Sequence, residues 1–276
     1  MRFVIASNIK YAKWLGLVAA FAIGILIGRA PWPVDPRFTD ATGRKEVTCP
    51  AQTANTIVMV TLGQSNSANY LGHRYRATNE RIINFWEGRC YVAQDPLLGA
   101  TGDAGSQWVV LANKLIARHD FIVIVAIGNG MRTTSVADWN GALASRYWAT
   151  LDRLKAHYKA THFFWHQGEA DAHRTADEYA AELGKVIAES KKTFPESRFY
   201  VSQASTCRGP ASHTVREGQR KVIQVANGVF PGPDTDRLDA LEDRYDGCHF
   251  SMVGQEKIAD MWNAILTAPS QVLRPR

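Results

Sequence analysis

At 276 residues, with 46% hydrophobic and 21% charged content, the chain can bury a substantial core, which predicts one sizeable domain plus extensions. The formal net charge is +6, but residues 1–46 hold seven Lys/Arg against three Asp/Glu, so residues 47–276 carry a surplus of only two. With no basic stripe interleaved with aromatics, nucleic acid is excluded as a partner.

The chain opens with a short basic stretch, residues 1–13, whose Lys10 and Lys13 precede an uncharged apolar run at 14–28 that Arg29 closes. Fifteen residues is short for a span, but Lys13 and Arg29 can snorkel, and Trp14 and Trp32 can sit at the two interfaces. A cleaved signal peptide is the alternative. Its cleavage signal is poor, because Ala20-Phe21-Ala22 lies inside the run and Ala30 is followed by Pro31. The reading is therefore a signal anchor with a cytoplasmic N-terminus and an exported remainder. Residues 29–50 are Pro-rich and polar and read as a linker to a domain over 51–269, with a tail at 270–276. Four cysteines (Cys49, Cys90, Cys207 and Cys248) in an exported chain predict two disulfides with three possible pairings. Cys49–Cys90 with Cys207–Cys248 is preferred from where the segments should lie.

Within the domain, short β-branched runs alternate with amphipathic stretches. Strands are predicted at 56–62, 121–128, 161–165 and 198–205, with a pair of short strands about a glycine turn at 81–93. Helices are predicted at 108–119, 146–160, 178–194 and 250–266. This alternation argues for an α/β fold, a parallel sheet with helices on both faces, where chemistry gathers at the carboxyl ends of strands.

Three polar segments fall at such ends: Gly63-Gln64-Ser65-Asn66, then His166-Gln167-Gly168-Glu169-Ala170-Asp171, and Asp246-Gly247-Cys248-His249 before the last helix. A serine needs a base within hydrogen-bond reach and a third group to orient that base. Asp246 and His249, three apart in a glycine-containing turn, can supply both. Taken alone, Ser65 also reads as the N-cap of a following helix. Gly63-Gln64-Ser65-Asn66-Ser67 is not G-x-S-x-G, which argues against the nucleophile elbow of α/β-hydrolases.

GQSN after the first strand, WxQGExD at 165–171 and DGxHFS at 246–251, in this order, resemble the sialate O-acetylesterase-like carbohydrate esterases of the SGNH (GDSL-like) hydrolases. The resemblance covers about residues 55–266. It implies a three-layer α/β/α fold with a mainly parallel, flavodoxin-like sheet, and ester hydrolysis of an acetylated glycan through an acyl-enzyme, with no cofactor and no metal. Carried over motif by motif, it implies Ser65 as nucleophile, His249 as base and then acid, and Asp246 as its partner. It also implies an oxyanion hole of the Ser65 N–H, the Gln167 amide and a glycine in the 102–106 loop, assigned to Gly105. Asn66, Glu169 and Asp171 are left as loop support or substrate contacts. If His249 is the base, activity is expected to fall on acidification, and a flat profile from about pH 5 to 8 would count against it.

Three other readings compete. His162, His166, Glu169 and His173 lie close in sequence but lack metal-ligand spacing. A lipase or thioesterase for longer acyl chains shares the motifs, and a catalytically silent glycan-binding module would share the fold. Trp86, Trp108, Trp139 and Trp148 are candidates for a sugar-stacking cleft, more than half of them expected in the core.

Overall fold

The computed structural model describes residues 40–131 and 134–268. The predicted anchor at 14–28 and the tail at 270–276 lie outside the described residues, and among those described no helix is long and apolar enough to cross a membrane. The described part of the predicted linker is fastened to the domain. β1 (Glu46–Val47) pairs with β4 (Arg89–Val92), Cys49 is bonded to Cys90, and Arg44 donates to the carbonyls of Gln94 and Pro96.

The remaining strands are β2 (Ile57–Gly63), β3 (Ile82–Trp86), β5 (Ile122–Ala126), β6 (His162–His166), β7 (Arg198–Gln203) and β8 (Val229–Asp234). They form one eight-stranded sheet in the order β1-β4-β3-β5-β2-β6-β7-β8. Every pairing from β3 to β8 is parallel, and only the β1–β4 and β4–β3 pairings are antiparallel. β2, near the middle and covered on both faces, is buried at every residue, which is why it reads as an unbroken apolar run.

Alternate residues of β2 feed two cores. Val58, Val60 and Leu62 join Tyr147, Leu151 and Leu154 of α2 (Ala144–Lys155) and Tyr179, Leu183 and Val186 of α3 (Ala176–Thr193). Ile57 and Met59 join Trp108, Val109 and Leu111 of α1 (Gln107–Leu115) and Ile258, Ala259 and Trp262 of α5 (Met252–Thr267). The sheet therefore lies between two helical layers. Local chemistry sets the helix starts: Thr175 and Glu178 form a capping box on α3, and the Ser106 and Ser251 hydroxyls cap α1 and α5.

Two elements escape the sequence pattern. β8 carries Pro231 and Pro233, which the outermost strand tolerates because no partner needs their missing N–H groups. α4 (His213–Lys221) is almost wholly polar and buries only Val215, Gly218 and Gln219.

The disulfides are Cys49–Cys90 and Cys207–Cys248, each spanning 41 residues. On a chain-entropy estimate each such closure is worth about 4 kcal/mol. Two such bonds fit an oxidising, extracytoplasmic setting.

One carboxyl in the core is unusual. Asp95 is buried, accepting from the Ser106 hydroxyl at 2.7 Å and the Tyr75 N–H at 3.0 Å. Burial pushes its carboxyl up to about 7 against those donors and the Arg44 charge. A folded value above the unfolded one means that the native state holds the extra proton between about pH 4 and 7, so this group lowers stability as pH rises through that window. Asp95→Asn should flatten the dependence, shrinking the wild-type loss of Tm between pH 5 and pH 8 by roughly 5 °C. A variant keeping the whole wild-type loss would contradict this.

Candidate active site

β2 ends in Gly63, whose φ of +131° is closed to ordinary side chains. A Cβ there would lie 1.9 Å from the His166 carbonyl oxygen, so glycine permits the close approach of the β2 and β6 ends. Ser65 follows in a single 3-10 turn, Ser65–Ser67. The expected helix after this strand is absent: Gln64 holds the cap position without a side-chain bond, and the chain turns extended again at Ala68. Support from a helix dipole therefore does not apply to Ser65. Neither its N–H nor its Oγ has a hydrogen-bond partner among the described residues.

Asp246 and His249 face each other, with Asp246 Oδ2 2.9 Å from His249 Nδ1. Oδ1 accepts the backbone N–H groups of Cys248 (2.9 Å) and His249 (2.7 Å), and Arg208 donates to Oδ2 at 3.0 Å. Burial alone would raise this carboxyl. The His249 and Cys248 donors and the Arg208 guanidinium outweigh burial and hold it well below the usual carboxylate range. It is a carboxylate at any working pH, suited to hold the Nδ1–H tautomer and leave Nε2 as the base.

Asn66 links the serine turn to the histidine loop. Its side chain, wholly buried, donates to Cys248 O at 3.1 Å and accepts from Phe250 N at 3.3 Å, the two residues flanking His249. It also donates to Glu169 Oε1 at 2.9 Å. Asn66 and Glu169 thus brace the two loops against each other. Asp171, also wholly buried, accepts from Val136 N and Arg174 Nε and ties the 168–174 loop to the turn at 135–140.

The other two residues assigned to an oxyanion hole are engaged elsewhere. The Gly105 N–H donates to Leu71 O at 2.9 Å, answered by Leu71 N to Gly105 O. Gln167 Nε2 already has three acceptors for its two protons, Gln64 Oε1, Thr134 O and Asp171 Oδ2, and its Oε1 accepts from the Tyr179 hydroxyl. The motif's amide is therefore a fully bonded internal strut in this conformation.

Several residues beside Ser65 carry no motif. A Cβ on Gly130 would sit 2.8 Å from both Ser65 Cα and Cβ and 2.4 Å from Tyr70 Cε2, so the chain after β5 packs directly on the serine. Asn129, one residue earlier, donates its N–H to Gly63 O, and its Nδ2 has no acceptor among the described residues. The signal that could have found this segment is Gly128-Asn129-Gly130, a glycine-rich polar loop at the end of the strand beside β2. Tyr70 and Tyr245 stack against His249 with ring centroids 6.0 and 5.9 Å away, and the Tyr245 hydroxyl donates to Tyr70 O. Arg244, nearly buried, lies 4.2 Å from the Phe250 ring centre and donates to Cys248 O, Thr206 O, Thr235 O and Leu238 O, pinning the histidine loop from beneath.

The histidines weighed as metal ligands do not converge. His162 stacks on Phe164 and Tyr200, His166 is buried with Nε2 on the Thr235 hydroxyl, and His173 is exposed. Burial pushes the His166 imidazole down, against the opposing charge of Glu169, so it is neutral there. Of the four tryptophans, Trp108 and Trp139 are core, Trp86 is half-buried, and Trp148 is 48% exposed on α2. Trp108 Nε1 donates to Ser67 O and so steadies the serine turn.

A family model described as "Carbohydrate esterase, sialic acid-specific acetylesterase" matches residues 55–267. Among solved structures, a protein from Arabidopsis thaliana superposes with a TM-score of 0.63 at 18% identity, over 76% of this chain and 97% of its own. A protein described as a GDSL-like lipase, from Parabacteroides merdae, gives a TM-score of 0.52 at 16% identity, over 77% and 97%. At these identities the likeness speaks to fold alone. A search of curated proteins found no match.

Proposed function

Because the chain belongs to the carbohydrate esterase, sialic acid-specific acetylesterase family, and is an esterase of that type, we propose that it removes acetyl groups from glycan hydroxyls through Ser65, His249 and Asp246. The observation that carries this reading is the 2.9 Å Asp246–His249 contact, held beside the Ser65 turn by Asn66. In the proposed cycle Ser65 Oγ attacks the acetyl carbonyl carbon as its proton passes to His249 Nε2. The tetrahedral intermediate collapses, the sugar oxygen leaves with the proton from His249, and an acetyl-serine remains. Water, deprotonated by His249, then releases acetate and restores the serine.

The developing oxyanion needs donors with protons to spare. Ser65 N–H is one, and Asn129 Nδ2 is a side-chain donor in the same position of supply. Gly105 and Gln167 fill this role only if their present partners are released. The disulfides support export of the domain, and the apolar run at 14–28 supports retention at a membrane.

The test is acetate release across a panel of O-acetylated cell-surface glycans, with p-nitrophenyl esters of increasing acyl length beside it. Ser65-dependent acetate release from at least one glycan, and a preference for acetyl over longer esters, is the expected result. Cleavage of long-chain esters with no acetate from any glycan would replace this reading with that of a lipase or thioesterase.

A further inference from the structure

A cleft of about 490 Å3 lies beside the candidate active site, within the usual size of small-ligand pockets. Arg44, Arg74 and Arg76 line it together with Asp40, Asp95 and Gly102. The three guanidinium groups are close enough to feel one another: burial first, and then the charges of Arg74 and Arg76, pull Arg44 down, while Asp95 and Asp40 push it up. None of the three is bonded to a carboxylate among the described residues. Arg44 donates to the carbonyls of Gln94 and Pro96, and Arg74 to that of Asp103. Asp95 and Asp40 offset part of this charge through space, but neither is paired with a guanidinium, and three arginines face two carboxyls. Asp95 is committed to Ser106 and Tyr75, and Asp40 Oδ1 accepts Thr42 N. Like charges gathered in one concavity repel unless an anion is shared between them, and the planar arginine fork suits the paired oxygens of such a group.

The cleft connects with the serine through one ring. A Cβ on Gly102, in the cleft wall, would lie 2.8 Å from Tyr70 Cε2, the atom that Gly130 approaches as it packs on Ser65. The same Tyr70 ring stacks against His249. Cleft wall and serine thus both adjoin Tyr70, a placement suited to two neighbouring sugar units.

We propose that the Arg44/Arg74/Arg76 cleft is an anion subsite, taking the carboxylate or sulfate of the sugar unit next to the one whose ester meets Ser65. This rests on the esterase reading of Ser65. It selects glycans in which an acetylated unit adjoins an acidic one.

The experiment uses the full chain and three oligosaccharides bearing one acetyl ester: one with a uronate beside the acetylated unit, its counterpart with that carboxyl reduced to an alcohol, and a counterpart carrying a sulfate there. Wild type should prefer at least one anionic substrate over the neutral one by about tenfold to a hundredfold in kcat/KM, expressed mainly in KM. The preference should fade at high salt. The arm preferred identifies the anion. In Arg74→Gln/Arg76→Gln, two exposed positions, the ratio of anionic to neutral should fall to near one. Competition by inorganic sulfate against the anionic substrate in wild type checks the site without a variant. A wild-type ratio near one in both anionic arms, or a preference that survives the double substitution, overturns the subsite. Ser65-dependent acetate release from the neutral substrate with no anionic preference removes the subsite alone. Release that is unchanged in Ser65→Ala removes the esterase reading and the subsite with it.

Discussion

Ser65→Ala is expected to lower ester hydrolysis by on the order of 10⁵- to 10⁶-fold, with the fold intact. The magnitude follows from loss of the covalent step, since members of a nucleophile–base unit act together and removing one forfeits nearly all that the unit provides. The structural cost should be small. Ser65 Oγ bonds to nothing among the described residues, and the turn is held by other groups: Asn66, the Ser67 hydroxyl on Leu62 O, and Trp108 on Ser67 O. A purified variant with wild-type Tm and near-background turnover is the predicted outcome. Turnover within tenfold of wild type would mean that the chemistry lies elsewhere.

Asp246→Asn should reduce kcat by about 10⁴-fold, the scale seen when a triad aspartate becomes an amide and the imidazole settles in the wrong tautomer. Asp246 Oδ2 accepts hydrogen bonds from His249 Nδ1–H and the Arg208 guanidinium, while Oδ1 holds the turn through two backbone N–H groups. An amide keeps one acceptor and sets N–H groups where Nδ1–H now points. Some destabilisation will follow from the lost turn contacts, of about 1–3 kcal/mol. The Cys207–Cys248 bond and Arg244 still hold the loop, so a Tm and kcat measured on the same sample separate the two effects. A variant losing Tm but keeping kcat would make Asp246 a turn residue only.

Much of the architecture is legible because the central strands are buried on both faces and the helices on one. TIVMVTL and FIVIVA declare themselves as strands, and the 3.6-residue spacing along 178–194 declares α3. β8 hides because Pro231 and Pro233 argue against any strand except one at an edge, which local sequence cannot identify. α4 hides because its stability comes from Gln219 bonding to Gln167 O and Ala204 O, not from an apolar stripe. At the site, Asp246 and His249 are close in sequence and their meeting is readable. Gly130, Tyr70 and Tyr245 reach the serine and histidine only through the order of strands and the packing of loops. Gln167 shows the converse: its place in a specific motif says that it matters, yet the burial that commits its amide to Gln64, Thr134 and Asp171 is not written in the motif.

The most direct test of the central claim is capture of the acyl-enzyme. Wild-type protein mixed briefly with p-nitrophenyl acetate, quenched in acid and digested should carry one acetyl group on the peptide containing Ser65. Ser65→Ala should show none. An acetyl group on another residue whose loss abolishes turnover, or full turnover with no acetyl on Ser65 under any quench, would contradict the assignment of Ser65 as the nucleophile.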